Sequence, residues 1–212
     1  MSIQTIIDSA QSITINRRAV VAQSVSRSQQ IKTAERGYRV WKFTVSPSPG
    51  LKWENYRGMI EAIDNKDKIT ETQISLANNA NMGWTVAYQG EFTQGALDAI
   101  TISSVTGNSL TLTTLPTVSS TTIAFKAGDY IQPDGSRYPY TVVNTVLRGS
   151  GNTITLTVNR GMIADITLAN AGILVGSQVT WRVVPVMLPD YTLTPGRFIA
   201  WSGDFELMEV IQ

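Results

Sequence analysis

The 212-residue chain contains no cysteine and no histidine. Without cysteine there is no disulfide framework, no thiolate nucleophile and no thiolate-bound zinc. Without histidine there is no imidazole base for a Ser-His-Asp or Cys-His arrangement, no imidazole metal ligand, and no side chain that ordinarily titrates near neutrality. Most common hydrolase and metalloenzyme designs are thereby excluded. Charge is also scarce: 17 basic and 16 acidic residues leave a net charge of +1. That balance supplies no global field to gather nucleic acid or an anionic membrane. Long apolar runs are missing as well. Ile173-Leu174-Val175 and Val183 to Leu188 fall far short of the roughly 20 residues that cross a bilayer as a helix. The start, Met1-Ser2-Ile3-Gln4-Thr5, lacks the basic and apolar regions of a signal peptide. The expectation is a protein made and kept in the cytosol, unless it leaves as part of a larger particle.

What is present is Thr, Ser, Val and Ile, punctuated at short intervals by Asn, Gly and Pro. Such side chains suit a pleated, half-buried surface, so a mainly β fold is expected. The length suffices to bury a core without staples. Charge divides the chain into three. Residues 1–92 hold eleven basic and eight acidic side chains, residues 93–182 five and four, and residues 183–212 one and four. In the middle block Lys126 is the only lysine and glutamate is absent. A Thr-rich stretch so poor in long charged side chains reads as a separate compact unit. The tail is too short for a core of its own. The expected organisation is therefore a discontinuous β-sandwich with one helix, 1–92 with 183–212, interrupted by a small OB-like β-barrel over 93–182.

The pattern within each block predicts particular elements. Ser12 to Ile15 alternates and could pair with Ala19 to Val25 across Asn16-Arg17-Arg18. Tyr38 to Val45 is a second strand, with Arg39, Trp41, Phe43 and Val45 on one face, ended by Ser46-Pro47-Ser48-Pro49. Trp53, Tyr56, Met59, Ile60 and Ile63 then fall at helical spacing to about Asn65. Ile69 to Ala77 and Trp84 to Tyr88 read as strands around an Asn-rich loop. The middle block predicts hairpins at Thr106-Gly107-Asn108 and Pro133-Asp134-Gly135-Ser136, a strand at Thr153 to Val158, and a closing strand at Gln178 to Val184. A last strand covers Glu206 to Ile211.

Catalytic candidates are few. Asp64 and Asp67 bracket Lys66 and Lys68 at a helix end, where charge clusters are ordinarily solvated. Asp129 in Lys126-Ala127-Gly128-Asp129 has the chemistry of a turn. Glu206 and Glu209, near Asp204, could do acid/base work only if the fold held them a few ångström apart in a cleft. Gly149-Ser150-Gly151 lacks the lysine and the following helix of a phosphate loop. No catalytic residue, cofactor or metal is therefore assigned. An OB-like barrel could bind single-stranded nucleic acid on aromatic platforms, with Tyr130, Arg137, Tyr138, Tyr140, Arg148 and Arg160 as the set, but its few cations argue against backbone tracking. Neutral glycan is the gentler alternative, contacted by Tyr130, Arg137, Tyr138, Tyr140 and Asn144. Trp41, Trp53 and Trp84 suit core or subunit contacts. Aromatic and arginine anchors are favoured between proteins, so Trp53, Tyr56, Arg197, Phe198 and Trp201 form a candidate subunit interface.

The order of these elements resembles a known family. A β-rich block with Tyr38-Arg39-Val40-Trp41 is followed by one helix with Trp53-Glu54-Asn55-Tyr56. A Thr-rich insert with Lys126-Ala127-Gly128-Asp129-Tyr130-Ile131 comes next, and Trp181-Arg182-Val183-Val184-Pro185 leads to a short final β segment. This arrangement is similar to the distal tail proteins of long-tailed bacteriophages, in the short form with an inserted OB-like domain. The resemblance implies a non-enzymatic virion protein, assembled in the host cytoplasm as a ring of about six copies. Its partners would be the tail-tube protein, the baseplate hub or tail-tip protein, and, as in some relatives, tail fibres or host surface glycan; nucleic acid would only pass through the lumen. Another tail-tube or baseplate subunit, and a stand-alone carbohydrate- or oligonucleotide-binding module, are the alternatives. Ring closure repeats one heterologous contact, in which the basic excess of 1–92 could meet the acidic excess of 183–212.

Overall fold

Alternation of period two decides the first sheet. In the computed structural model, which describes residues 3–18, 21–25, 31–35, 39–64, 71–163 and 165–212, Trp41, Phe43 and Val45 are fully buried while Lys42 between them faces solvent. The first part of the chain comprises helix α1 (Ile3–Asp8), strands β1 (Ser12–Asn16), β2 (Val21–Val25), β3 (Ile31–Glu35), β4 (Lys42–Ser46) and β5 (Leu51–Lys52), helix α2 (Trp53–Asp64) and β6 (Thr72–Ile74). Next come helix α3 (Gln94–Asp98), β7 (Thr101–Thr106), β8 (Ser109–Thr113), β9 (Ile123–Phe125) and β10 (Tyr130–Pro133). They are followed by β11 (Tyr140–Thr141), β12 (Val146–Leu147), β13 (Ile154–Thr157) and β14 (Ile173–Val175). The last four strands are β15 (Trp181–Met187), β16 (Tyr191–Thr194), β17 (Phe198–Trp201) and β18 (Phe205–Glu209). The fold is mainly β, as the composition predicts.

The five-stranded sheet runs β1-β4-β18-β15-β6 and is antiparallel throughout. Its buried face carries Trp41, Phe43, Val45, Trp181, Val183, Phe205 and Leu207. Over that face lie α1, α2 and a small sheet β16-β17-β5. Met59, Ile60 and Ile63 supply the apolar stripe of α2 at the expected spacing. Strand β6 leaves the sheet and β15 returns beside it, Ile74 opposite Trp181. Everything between them is thus hung from one edge of a single ladder.

That intervening stretch has its own core, from Phe92 and Leu97 to Val175. Two sheets, β13-β8-β7 and β11-β10-β14, are joined at both ends by bridges, Thr101 with Gly172 and Val142 with Val158. The hydrogen-bonded circuit β13-β8-β7-β14-β10-β11 therefore closes on itself. It is a barrel of six antiparallel strands, where an OB fold has five. The short pair β9-β12 lies against it. Gly107 at φ +60 makes the β7–β8 turn and Gly135 at φ +83 lies in the β10–β11 loop, at the two predicted hairpins.

Several expectations are corrected. Strand β1 pairs with β4, and β2 pairs with β3 instead of β1. Ala19 and Val20, like Tyr38, Asn65 to Lys68 and Ile69, lie outside the described residues. Three α-helices are described rather than one: α1 and α3 span six and five residues, too short to show a periodicity. Trp84 to Tyr88 is no strand, because Asn79 Oδ1 accepts from the Asn81 and Met82 amides and curls the chain into a 3₁₀ turn at Gly83–Val86. Gly83 is needed there: a Cβ would stand 2.5 Å from the Ala77 carbonyl oxygen. The segment Gln178 to Val184 does not close the barrel. Val179 and Trp181 belong to the first core, so the chain leaves the second core after Val175 rather than at residue 182.

The two tryptophans at the extremes of burial give a direct test. Trp41 is fully buried among rings of Phe43, Tyr130 and Trp181, whereas Trp84 is 72% exposed. In urea denaturation Trp41→Ala should lose about 3–5 kcal/mol and Trp84→Ala no more than about 0.5 kcal/mol. Equal losses would contradict this core.

Candidate functional site

The barrel and the sheet meet through charge. Arg160 follows β13, and its side chain reaches Glu209 at the end of β18. Nη1 lies 2.5 Å from Oε2 and Nη2 2.6 Å from Oε1, in a bidentate pair with both side chains at most 2% exposed. The remaining donor capacity of the two Nη atoms goes to the carbonyls of Arg39 and Pro139, at 2.8 and 3.0 Å. The Trp41 amide donates to Glu209 Oε2, and the guanidinium lies 5.1 Å from the Tyr140 ring centre. Burial pushes the Glu209 carboxyl above its usual range, against the opposing pull of Arg160.

Aromatic packing spans the same seam. Tyr130 stands on barrel strand β10, yet its ring packs 5.8 Å from Trp41 and 5.6 Å from Trp181. Gly176, at φ +63, lets the chain pass the backbone of Val86 and Tyr88; a Cβ would stand 2.9 Å from the Tyr88 nitrogen. Tyr138 and Gln212 exchange hydrogen bonds, and Arg137 reaches both Gln212 and, at 3.7 Å, Glu71. The barrel is therefore held against the sheet along its length.

These contacts overturn the proposed glycan platform. Tyr138 and Tyr140 are 1% and 0% exposed and belong to the barrel core, while Tyr130 serves the seam. Arg137 and Asn144 are exposed, but no aromatic face accompanies them from this set. The Tyr140 ring offers no platform because it is buried, and its hydroxyl accepts from the Ile163 amide. Arg148 is engaged with the carbonyls of Pro116, Gly149 and Gly151. Among the carboxylates, Glu206 is exposed and Glu209 buried, since residues three apart on a strand point to opposite faces. Asp129 accepts from the Gln89 and Lys126 amides, both at 2.8 Å, which is turn chemistry; burial raises its carboxyl. The side chains of Asp64, Lys66, Asp67 and Lys68 lie outside the described residues.

The candidate interface residues do come together. Trp53 opens α2 and stacks on Tyr191, which meets Trp201 edge-on at 5.7 Å. The Trp53 amide donates to the Arg197 carbonyl, and Arg197 pairs with Glu54 at 3.0 Å on the surface. Phe198, 37% exposed, and Trp201 line a cleft of about 630 Å³ with Pro47, Pro49 and Asp204. Tyr56 is half-buried against the first core. The Arg197–Glu54 pair joins a cation of the tail to an acid of the first block within one chain, opposite in sense to the charge exchange read from the sequence.

A second exposed feature was not anticipated. Strands β2 and β3 form a ribbon in register from Val21 opposite Glu35 to Val25 opposite Ile31, and within the described residues they form a sheet only with each other. Val25 and Ile31, at the far end of the pairing, are 69% and 67% exposed. Arg17 and Arg39, given no contact role in the sequence reading, reach the barrel at Thr141 and the Asn159 carbonyl. No motif marks them, because their partners lie more than 100 residues away. No helix among the described residues is long and apolar enough to cross a membrane. The chain matches no protein-family model, and no curated protein matches it significantly.

Two measurements test the seam. Arg160→Met and Glu209→Leu singly should each cost about 3–5 kcal/mol, and the double variant much less than their sum, because one partner alone leaves a buried unpaired charge. Additive losses in a double-mutant cycle would count against the pair. The second is alkaline: burial raises the Tyr88 and Tyr140 hydroxyls to about 12, against about 10 when unfolded. Both stay neutral in the fold while the unfolded chain ionises, so stability present below pH 10 should fall between pH 10 and 12. Tyr88→Phe with Tyr140→Phe should flatten that loss in urea titrations at pH 9 and 11.

Proposed function

We propose that this protein is a structural ring subunit of a phage tail, a distal tail or tail-tip component joining the tube to the baseplate hub. The observation that carries the reading is the β2–β3 ribbon. An isolated two-stranded hairpin is marginal in water; among the described residues this one joins no further strand, and it ends in an exposed Val25–Ile31 cross-strand pair. Exposed apolar side chains paired in this way can serve as a contact for a partner. In a ring, every subunit can offer the ribbon to its neighbour and receive one, which is the heterologous contact that closes by rotation.

The corner formed by Trp53, Arg197, Phe198 and Trp201 supplies a second surface of the composition favoured between proteins. The resemblance in element order supplies the setting, a tail ring with tube and hub as neighbours. The barrel, hung from one sheet edge, is placed as an outward appendage in this reading. The alternative of a stand-alone glycan or oligonucleotide module is disfavoured, because Tyr138 and Tyr140, its central contacts, are buried.

Native mass spectrometry and negative-stain microscopy of the purified chain test the reading. Closed rings are expected, with six copies as the resemblance implies. Val25→Asp with Ile31→Asp should release monomers whose thermal unfolding is unchanged within about 0.5 kcal/mol, as for surface substitutions generally. A wild-type chain that stays monomeric at all concentrations and salts, or a double variant that still forms rings, would sink the role given to the ribbon.

A further inference from the structure

We infer that the cleft beside Trp201 receives the ribbon of a second copy, so that Val25 and Ile31 of one subunit enter the aromatic corner of the next. This contact rests on the ring reading and supplies the socket that the reading leaves unnamed. A contact that closes a ring needs two different patches on one chain. The far end of the ribbon is one of them, with Val25 and Ile31 paired across the strands and 69% and 67% exposed. Side chains so exposed do not fill the cleft of their own chain.

The socket follows from where the prolines fall. Strands β5 and β17 pair only as Leu51 with Ile199 and Lys52 with Phe198. One more step in that register would set Gly50 against Ala200, and the next would set Pro49 against Trp201. Proline has no amide hydrogen to give to such a ladder, and the pairing stops at Leu51. The unzipped space is the cleft of about 630 Å³, lined by Pro47 and Pro49 together with Phe198 and Trp201. Clefts of this size take a drug-sized body, which leaves room for two aliphatic side chains and the strand ends that bear them.

Charge selects the occupant. Asp204 is the sole charged residue among those that line the cleft. Its carboxylate accepts from the Ser46 hydroxyl at 2.8 Å and is paired with no cation among the described residues. The ribbon brings the opposite sign: from Ala22 to Ala34 the sequence holds Arg27 and Lys32 and no acid. An aliphatic pair on a basic hairpin is thus matched to an aromatic cleft with one unpaired carboxylate. The exchange has the sense that the block charges suggest, cations from the first block meeting an acid of the tail. Phe198, 37% exposed, and Trp201 are residues of the kind that anchor contacts between proteins. A small molecule in the cleft would leave Val25 and Ile31 uncovered, whereas a second copy covers both surfaces at once.

Because the chain has no cysteine, introduced thiols report on single contacts without background. Val25→Cys subunits are mixed with Ala200→Cys subunits, assembled, and treated with a short bismaleimide, while native mass spectrometry counts copies in the untreated sample. Covalent dimers should form in the mixture and in neither variant alone. Both substitutions in one chain should give a ladder up to the ring. Val118→Cys, at a 46% exposed site between β8 and β9, replaces Val25→Cys as the control for chance collision. Phe198→Ala should weaken assembly about tenfold or more with its circular dichroism unchanged. Ile31→Cys with Ser202→Cys repeats the test should the first pair fail to assemble. Dimers from Val25→Cys alone would mean that two ribbons meet each other, and would overturn the socket. Intact rings whose mixture cross-links no more than the Val118→Cys control would overturn it too, with the ring reading left standing. A wild-type chain that forms no ring removes both.

Discussion

One buried ion pair fixes how the two parts of this molecule stand to each other. Arg160 and Glu209 meet through two short contacts with almost no solvent access, in a place where an unpaired charge would be very costly. Neither side chain can therefore be buried in the folded chain without the other. The pair also recruits the backbone, since Arg160 binds the Arg39 and Pro139 carbonyls and Glu209 takes the Trp41 amide. Those groups lie beside the largest rings of the first core. Charge, main chain and aromatic packing are thus settled together, and the barrel has one orientation on the sheet.

Local chemistry was readable wherever the signal was local. The alternation through Trp41, Phe43 and Val45, the stripe of α2, and the glycine-bearing hairpins of the barrel are short-range patterns and appear where the sequence places them. So does the interrupted order of elements. Contacts between distant residues were not readable. Nothing in Tyr138-Pro139-Tyr140 tells an exposed platform from a barrel interior, because both want aromatic side chains on alternating strands. Glu209 reads as a surface acid until Arg160 is found opposite it. Asn79 reads as loop until its side chain is seen tying Ile7 and Ala10 to the turn that follows. The proposed function was the least legible, since an assembly surface carries no motif and is defined by what the fold leaves uncovered.

The closed barrel contrasts with the ribbon in how each treats its strand edges. In the barrel, bridges at Thr101–Gly172 and Val142–Val158 leave the circuit without a free edge, which removes the usual route to unwanted pairing. The ribbon does the opposite and keeps both edges open among the described residues. One part of the chain is sealed against sheet extension, while the other pairs with no further strand among the described residues.

The sheet order β1-β4-β18-β15-β6 has a temporal side. Its two central neighbours, β18 and β15, are the last of the five to be synthesised, whereas all strands of the barrel circuit fall between Thr101 and Val175. On the ribosome the barrel can close while β4 and β6 still lack the strands that will lie between them. The nascent chain must carry Trp41 and Phe43 uncovered through that interval, so the delay before β15 and β18 emerge is when this protein is most exposed to misassembly.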